Sequence, residues 1–131
     1  MRLLLDTHIW VWSISESGYL KRSVAAELKD PANELWLSPI STWELFFLFE
    51  RKRIRLEPEP ATWVRETFKK VPYQEAVINH QVMLASHAVD LPHRDPADRI
   101  LAATAMVYDL TLVTADEHLM HSKSFPVLPN R

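Results

Sequence analysis

Four acidic residues stand at positions where carboxylates commonly do chemistry. Asp6 follows the apolar run Leu3-Leu4-Leu5, and Asp116 follows Leu112-Val113-Thr114-Ala115. Each therefore lies just past the carboxyl end of an expected strand, the edge at which open α/β sheets bind ligands. Asp98 falls in the first turn of a helix opening at Pro96, with Leu101 and Ala105 behind it on the same apolar face. Glu44 precedes the run Leu45-Phe46-Phe47-Leu48-Phe49. Two carboxylates about 4 Å apart repel by roughly 4 kcal/mol at an effective dielectric of 20. Four of them converging on one pocket need a cation. Hard oxygen donors favour Mg²⁺ or Mn²⁺, ions that keep part of their water shell and accept phosphate oxygens readily. The chemistry such a pocket supports is metal-assisted phosphoryl transfer.

Each acid also has an ordinary structural reading. Asp6 and Asp116 can cap the helices that follow them. Asp95 can cap the helix opening at Pro96, with Asp98 three residues on in the second position of a capping box. Ser41-Thr42-Trp43-Glu44 is itself a literal capping box.

The elements that would carry these residues follow from the pattern of apolar runs and prolines. Strands are expected at 2–5, 34–38, 111–114 and 126–128. Helices are expected at 7–14, 23–29, 41–53, 61–70, 75–89, 96–108 and 116–120. Strands separated by helices imply a parallel sheet covered on both faces, an α/β fold. At 131 residues and with 47% apolar content, the chain is expected to form a single domain, 1–131, with a core of its own. No apolar run approaches the roughly 20 residues that cross a bilayer, and Asp6 interrupts the N-terminal run too early for a signal peptide. The expected location is the cytoplasm, with no membrane partner. The absence of cysteine removes thiolate nucleophiles, cysteine-ligated zinc and disulfides. A single glycine, Gly18, removes phosphate-cradling glycine loops. The six histidines form no zinc-binding helix motif.

Taken together, Leu4-Leu5-Asp6-Thr7-His8, the SPISTWEL segment at 38–45, HRDPADRILAATA at 93–105 and LVTAD at 112–116 resemble the ordered acidic motifs of PIN-domain nucleases. Notable among these are the VapC-like toxins of toxin–antitoxin pairs. The resemblance implies a three-layer α/β/α fold with a short central parallel sheet, and a metal-dependent endoribonuclease restrained by a cognate antitoxin and often dimeric. It assigns Asp6, Glu44, Asp98 and Asp116 to the acidic quartet. Asp6, Asp98 and Asp116 would hold Mg²⁺ or Mn²⁺, and Glu44 would orient or deprotonate water. Thr114 matches the small hydroxyl residue beside the last acid. Asp95 and Arg99 match a sub-group with an Asp-Pro-x-Asp-Arg sequence, which gives Asp95 an outer role. Where relatives often have glycine after the second helix, this chain has Arg51-Lys52-Arg53-Ile54-Arg55.

With 15 Lys and Arg against 17 Asp and Glu, the net charge of −2 is not that of an overtly nucleic-acid-binding protein. Arg51, Lys52, Arg53 and Arg55 form the dense basic segment, which fits RNA phosphates and equally a solvated helix end. The five tryptophans are assigned to core or interface ahead of base stacking, because a helix such as 40–49, apolar nearly all round, should be buried on both sides. That excess of large apolar side chains suggests a homodimer or an antitoxin contact. Two other function classes compete with the nuclease. One is a phosphoaspartyl phosphatase or receiver domain, which Asp6-Thr7-His8 fits poorly for want of a second Asp two residues on. The other is a catalytically silent α/β interaction module in which every acid is a cap.

Overall fold

Leu3, Leu4 and Leu5 are fully buried because their strand, β1 (Arg2–Leu5), is the middle of a five-stranded parallel sheet. In this computed structural model, which describes residues 1–15, 17–92 and 95–131, the sheet order is β3-β2-β1-β4-β5. The other strands are β2 (Glu34–Leu37), β3 (Gln74–Glu75), β4 (Thr111–Thr114) and β5 (Val127–Pro129). Alternate side chains of β1 feed two cores on opposite faces. Leu3 and Leu5 join Ile9, Trp10, Val24, Leu45 and Trp63, whereas Leu4 joins Leu101, Ala102, Leu110, Leu112 and Leu119.

The covering helices are α1 (Thr7–Ser15), α2 (Arg22–Lys29), α3 (Pro39–Glu50), α4 (Pro60–Lys70), α5 (His80–Ala88), α6 (Pro96–Tyr108) and α7 (Glu117–Met120). None of the described helices is long and apolar enough to cross a membrane. Chain order runs outward from β1 to β2 and β3 on one side, and to β4 and β5 on the other. The carboxyl ends of β1 and β4 therefore flank the point where strand order reverses, the usual ligand crevice of such sheets. Leu5 pairs with Val113 there, and the Asp6 amide donates to the Val113 carbonyl at 3.0 Å.

Three expectations need correction. The second long helix starts at Pro39, not at 41: the Ser38 hydroxyl accepts from the Ile40 amide at 3.1 Å and Pro39 takes the first helical position, where its fixed φ is favourable. Ser41 is thus a turn inside, buried, with its Oγ lacking a hydrogen-bond partner. The capping box that Glu44 would have completed does not exist. The helix expected at 75–89 is shorter: Gln74 and Glu75 pair with Trp36 and Leu37 as an edge strand, and the Asn79 side chain caps α5 by accepting from the Val82 amide at 3.0 Å. Finally, α3 is buried on one side only. Ser41, Leu45 and Leu48 face inward, while Trp43, Phe46 and Phe47 are exposed, Trp43 by 58%.

The turn after α3 closes without glycine. The Lys52 amide donates to Phe49 at 3.0 Å and the Arg53 amide to Leu48 at 2.9 Å, with Lys52 itself at φ 59°. This is the double hydrogen-bond pattern of a helix end that normally places glycine at the left-handed residue. Asp109, with φ 55° and ψ 55°, does the same after α6.

Candidate metal centre

Four elements deliver carboxylates to the crevice between β1 and β4. Asp6 comes off the end of β1, Asp116 lies two residues beyond β4, and Asp95 and Asp98 sit at the start of α6. Glu44 projects from α3, which packs beside α6. A stretch of small residues on α6, Ala102, Ala103 and Ala105, is fully or almost fully buried. Small side chains there let the helix axis approach its neighbours closely. Asp6, Glu44, Asp95, Asp98 and Asp116 all line one cleft of about 390 Å³.

Asp6 is only 8% exposed. Its Oδ1 accepts from the Thr7 amide and its Oδ2 from the Thr114 hydroxyl, both at 2.7 Å. Burial nevertheless pushes its carboxyl above the ordinary carboxylate range, against the pull of these two bonds. The buried Thr114 Oγ1 also accepts from the Asp116 amide at 3.0 Å, so one hydroxyl fixes the strand-end acids relative to each other. Asp116 Oδ1 accepts from the His118 amide at 2.8 Å and caps α7. Asp95 Oδ1 accepts from the Asp98 amide at 3.1 Å and caps α6. Glu44 is raised first by burial, then by the charges of Asp6 and Asp95; the Thr7 side chain, hydrogen-bonded to it, and His8 act in the opposite direction.

The tightest grouping differs from the expected one. Among the described residues, carboxylate oxygens of Glu44, Asp95 and Asp98 lie within 4.8 Å of one another, whereas Asp6 and Asp116 line the cleft outside that set. Asp95, given an outer role by motif resemblance, therefore belongs to the close group and caps its helix as well. Of the basic segment, Arg53 lines the cleft. Arg51 lies over the Phe47 ring, 4.0 Å from its centroid, and Lys52 and Arg55 are exposed. His93 and Arg94, the first two residues of the third motif, lie outside the described residues. Among the lining residues not assigned to the site from the sequence are two ring-bearing ones, His8, which enters only within a motif, and Trp12, which the sequence assigns to core or interface ahead of base stacking. The available signal was their spacing: Trp12 is four residues beyond His8, and so shares its face of α1.

The donor set consists of carboxylate oxygens, which suits a hard divalent cation and offers no soft ligand. Glu44, Asp95 and Asp98 gather negative charge that an ion would neutralise.

Known proteins resemble this chain in sequence and in fold. The family model described as PIN domain matches residues 3–123. Ribonuclease VapC22 of Mycobacterium tuberculosis is 33% identical over 120 residues, covering 89% of this chain and 88% of that protein. Among solved structures, DNA-bound VapBC from Salmonella typhimurium superposes with a TM-score of 0.71 at 14% identity, over 100% of this chain and 99% of that one. VapBC2 from Rickettsia felis, bound to a DNA fragment from its promoter, gives 0.70 at 16% identity over 98% of each chain.

Proposed function

The chain belongs to the PIN-domain family, and from that premise we propose that it is a metal-dependent endoribonuclease, the toxin of a toxin–antitoxin pair. The observation that carries this reading is the convergence of five carboxylates on one cleft at the carboxyl edge of the sheet, in a chain 33% identical to a ribonuclease. Asp6, Asp98 and Asp116 would hold Mg²⁺ or Mn²⁺, with Asp95 close enough to Glu44 and Asp98 to take part. When bound, the ion would polarise the scissile phosphate and lower the pKa of a coordinated water. Thr114 keeps Asp6 and Asp116 in register through its two hydrogen bonds. Glu44 stands free of any capping duty, because Ser38 caps α3. Its raised carboxyl suits it to orient or deprotonate the attacking water. The partners implied are an RNA substrate, a cognate antitoxin and a second copy of the chain.

The test is RNA cleavage by the purified chain with Mg²⁺, with Mn²⁺ and with chelator. Cleavage should require the ion. Glu44→Gln should cut the rate by about 10² to 10⁴, the usual worth of a general base, without lowering the melting temperature. Undiminished cleavage in chelator would overturn the assignment, and a fully active Glu44→Gln protein would remove Glu44 from the chemistry and leave a three-Asp site.

A further inference from the structure

The cleft holds a feature that metal chemistry does not use. Trp12 is half-buried, packed against the core that contains Ile9 and Trp10, and it lines the same cleft as the five acids. His8 lies one helical turn before it, with ring centroids 5.5 Å apart and planes at 50°. Tyr19 lies beyond it, with centroids 5.2 Å apart at 39°, and is 66% exposed. The segment carrying Tyr19 is tied down by Asn130, which donates to the Tyr19 carbonyl at 3.0 Å and accepts from the Lys21 amide at 2.8 Å. Three rings therefore adjoin in series, His8 and Trp12 lining the cleft beside the carboxylates and Tyr19 next to them at the surface.

A strand entering this cleft meets carboxylates, and the protein carries a net charge of −2. Phosphate attraction, the main source of non-specific nucleic-acid affinity, is consequently weak here. Stacking on aromatic faces is the other general source, and it requires unpaired bases. Arg53, in the same cleft, can meet a neighbouring phosphate.

Building on the nuclease reading above, we propose that Trp12, backed by His8 and continued by Tyr19, is a stacking platform for an unpaired base beside the scissile phosphate. The experiment uses the full chain with Asp98→Asn to stop cleavage, and measures anisotropy with a short unstructured RNA and with its duplex. Trp12→Leu should weaken single-strand binding by about 5- to 150-fold, the range for one lost base stack, and Trp12→Phe by much less. One abasic nucleotide, moved along the strand, should weaken the Asp98→Asn protein at a single position. At that position it should leave the Trp12→Leu form unaffected. Equal binding by Trp12→Leu, equal abasic losses with and without the indole, duplex bound as tightly as single strand, or no binding at all would each overturn the platform. The two readings fail separately. A parent chain that cleaves RNA while binding ignores Trp12 removes only the platform. A parent that never cleaves, yet whose Asp98→Asn form binds through Trp12, removes only the nuclease.

Discussion

Asp6 receives hydrogen bonds from the Thr7 amide and the Thr114 hydroxyl, yet burial outweighs both and holds its carboxyl above the usual range. The fold thus prefers Asp6 protonated. A raised folded-state pKa contributes stability below the unfolded value, and that contribution is lost as pH rises through the folded one. Above the ordinary carboxylate range, burial of Asp6 accordingly costs the metal-free protein stability. Asn removes the charge, keeps an acceptor for the Thr7 amide and turns its own amide to donate to the Thr114 oxygen, so metal-free Asp6→Asn should melt higher than the parent at pH 7, with the difference closing as pH falls toward about 4. Added Mg²⁺ or Mn²⁺ should raise the melting temperature of the parent and leave that of the variant unmoved. Thermal melts at both pH values, with chelator and with metal, check both halves. A variant no more stable at pH 7 would mean that the two hydrogen bonds already compensate for burial.

At the scale of elements, helix ends carry the remaining tension between structure and chemistry. Asp95 both caps α6 and shares the close carboxylate group. Asn caps as well as Asp, so Asp95→Asn should keep the melting temperature while weakening Mn²⁺ binding in calorimetry; Asp95→Ala should in addition lose about 1 kcal/mol of stability. Unchanged Mn²⁺ affinity in Asp95→Asn would leave Asp95 only its cap. After α3, Lys52 occupies the left-handed region at φ 59°, which costs non-glycine residues roughly 1–2 kcal/mol. Lys52→Gly should raise the unfolding free energy by about 1 kcal/mol in denaturant melts, less than the full strain because glycine loses more chain entropy on folding. Most of this layer was legible in the sequence. Apolar runs marked β1, β2 and β4, and Asp95-Pro96 marked the start of α6. Two features were not legible. The two-residue strand β3 is defined by its pairing to β2 and has no periodicity of its own. Ser38-Pro39 overrode the capping box at Ser41, because a proline fixed at the first helical position outweighs a matching pair of side chains. The acids were legible as a set, but their grouping was not. The distance between Asp95 and Glu44 depends on how α6 packs beside α3, which no local pattern encodes.

For the molecule as a whole, the unburied side of α3 is the main departure from a self-sufficient fold. Trp43 and Phe47 stack with centroids 5.5 Å apart, and Arg51 lies over Phe47. A helix this apolar was expected to be covered on both sides, and within one chain it is covered on one. A second copy of the chain against this face would bury it, so sedimentation should show a concentration-dependent dimer that Trp43→Asp shifts toward monomer. A parent monomeric at every concentration would assign the face to another partner. The topology has a kinetic corollary too. The central pair of the sheet joins Leu3–Leu5 to Thr111–Val113, and the Thr114 hydroxyl reaches Asp6 across 108 residues of sequence. Pairings this distant in sequence close slowly, after local helices have formed. A polypeptide emerging residue by residue from the ribosome thus carries Asp6 and Glu44 exposed to solvent without the strand that completes their crevice. The crevice stays incomplete until β4 has been made and docked, so any chemistry it performs waits for that strand.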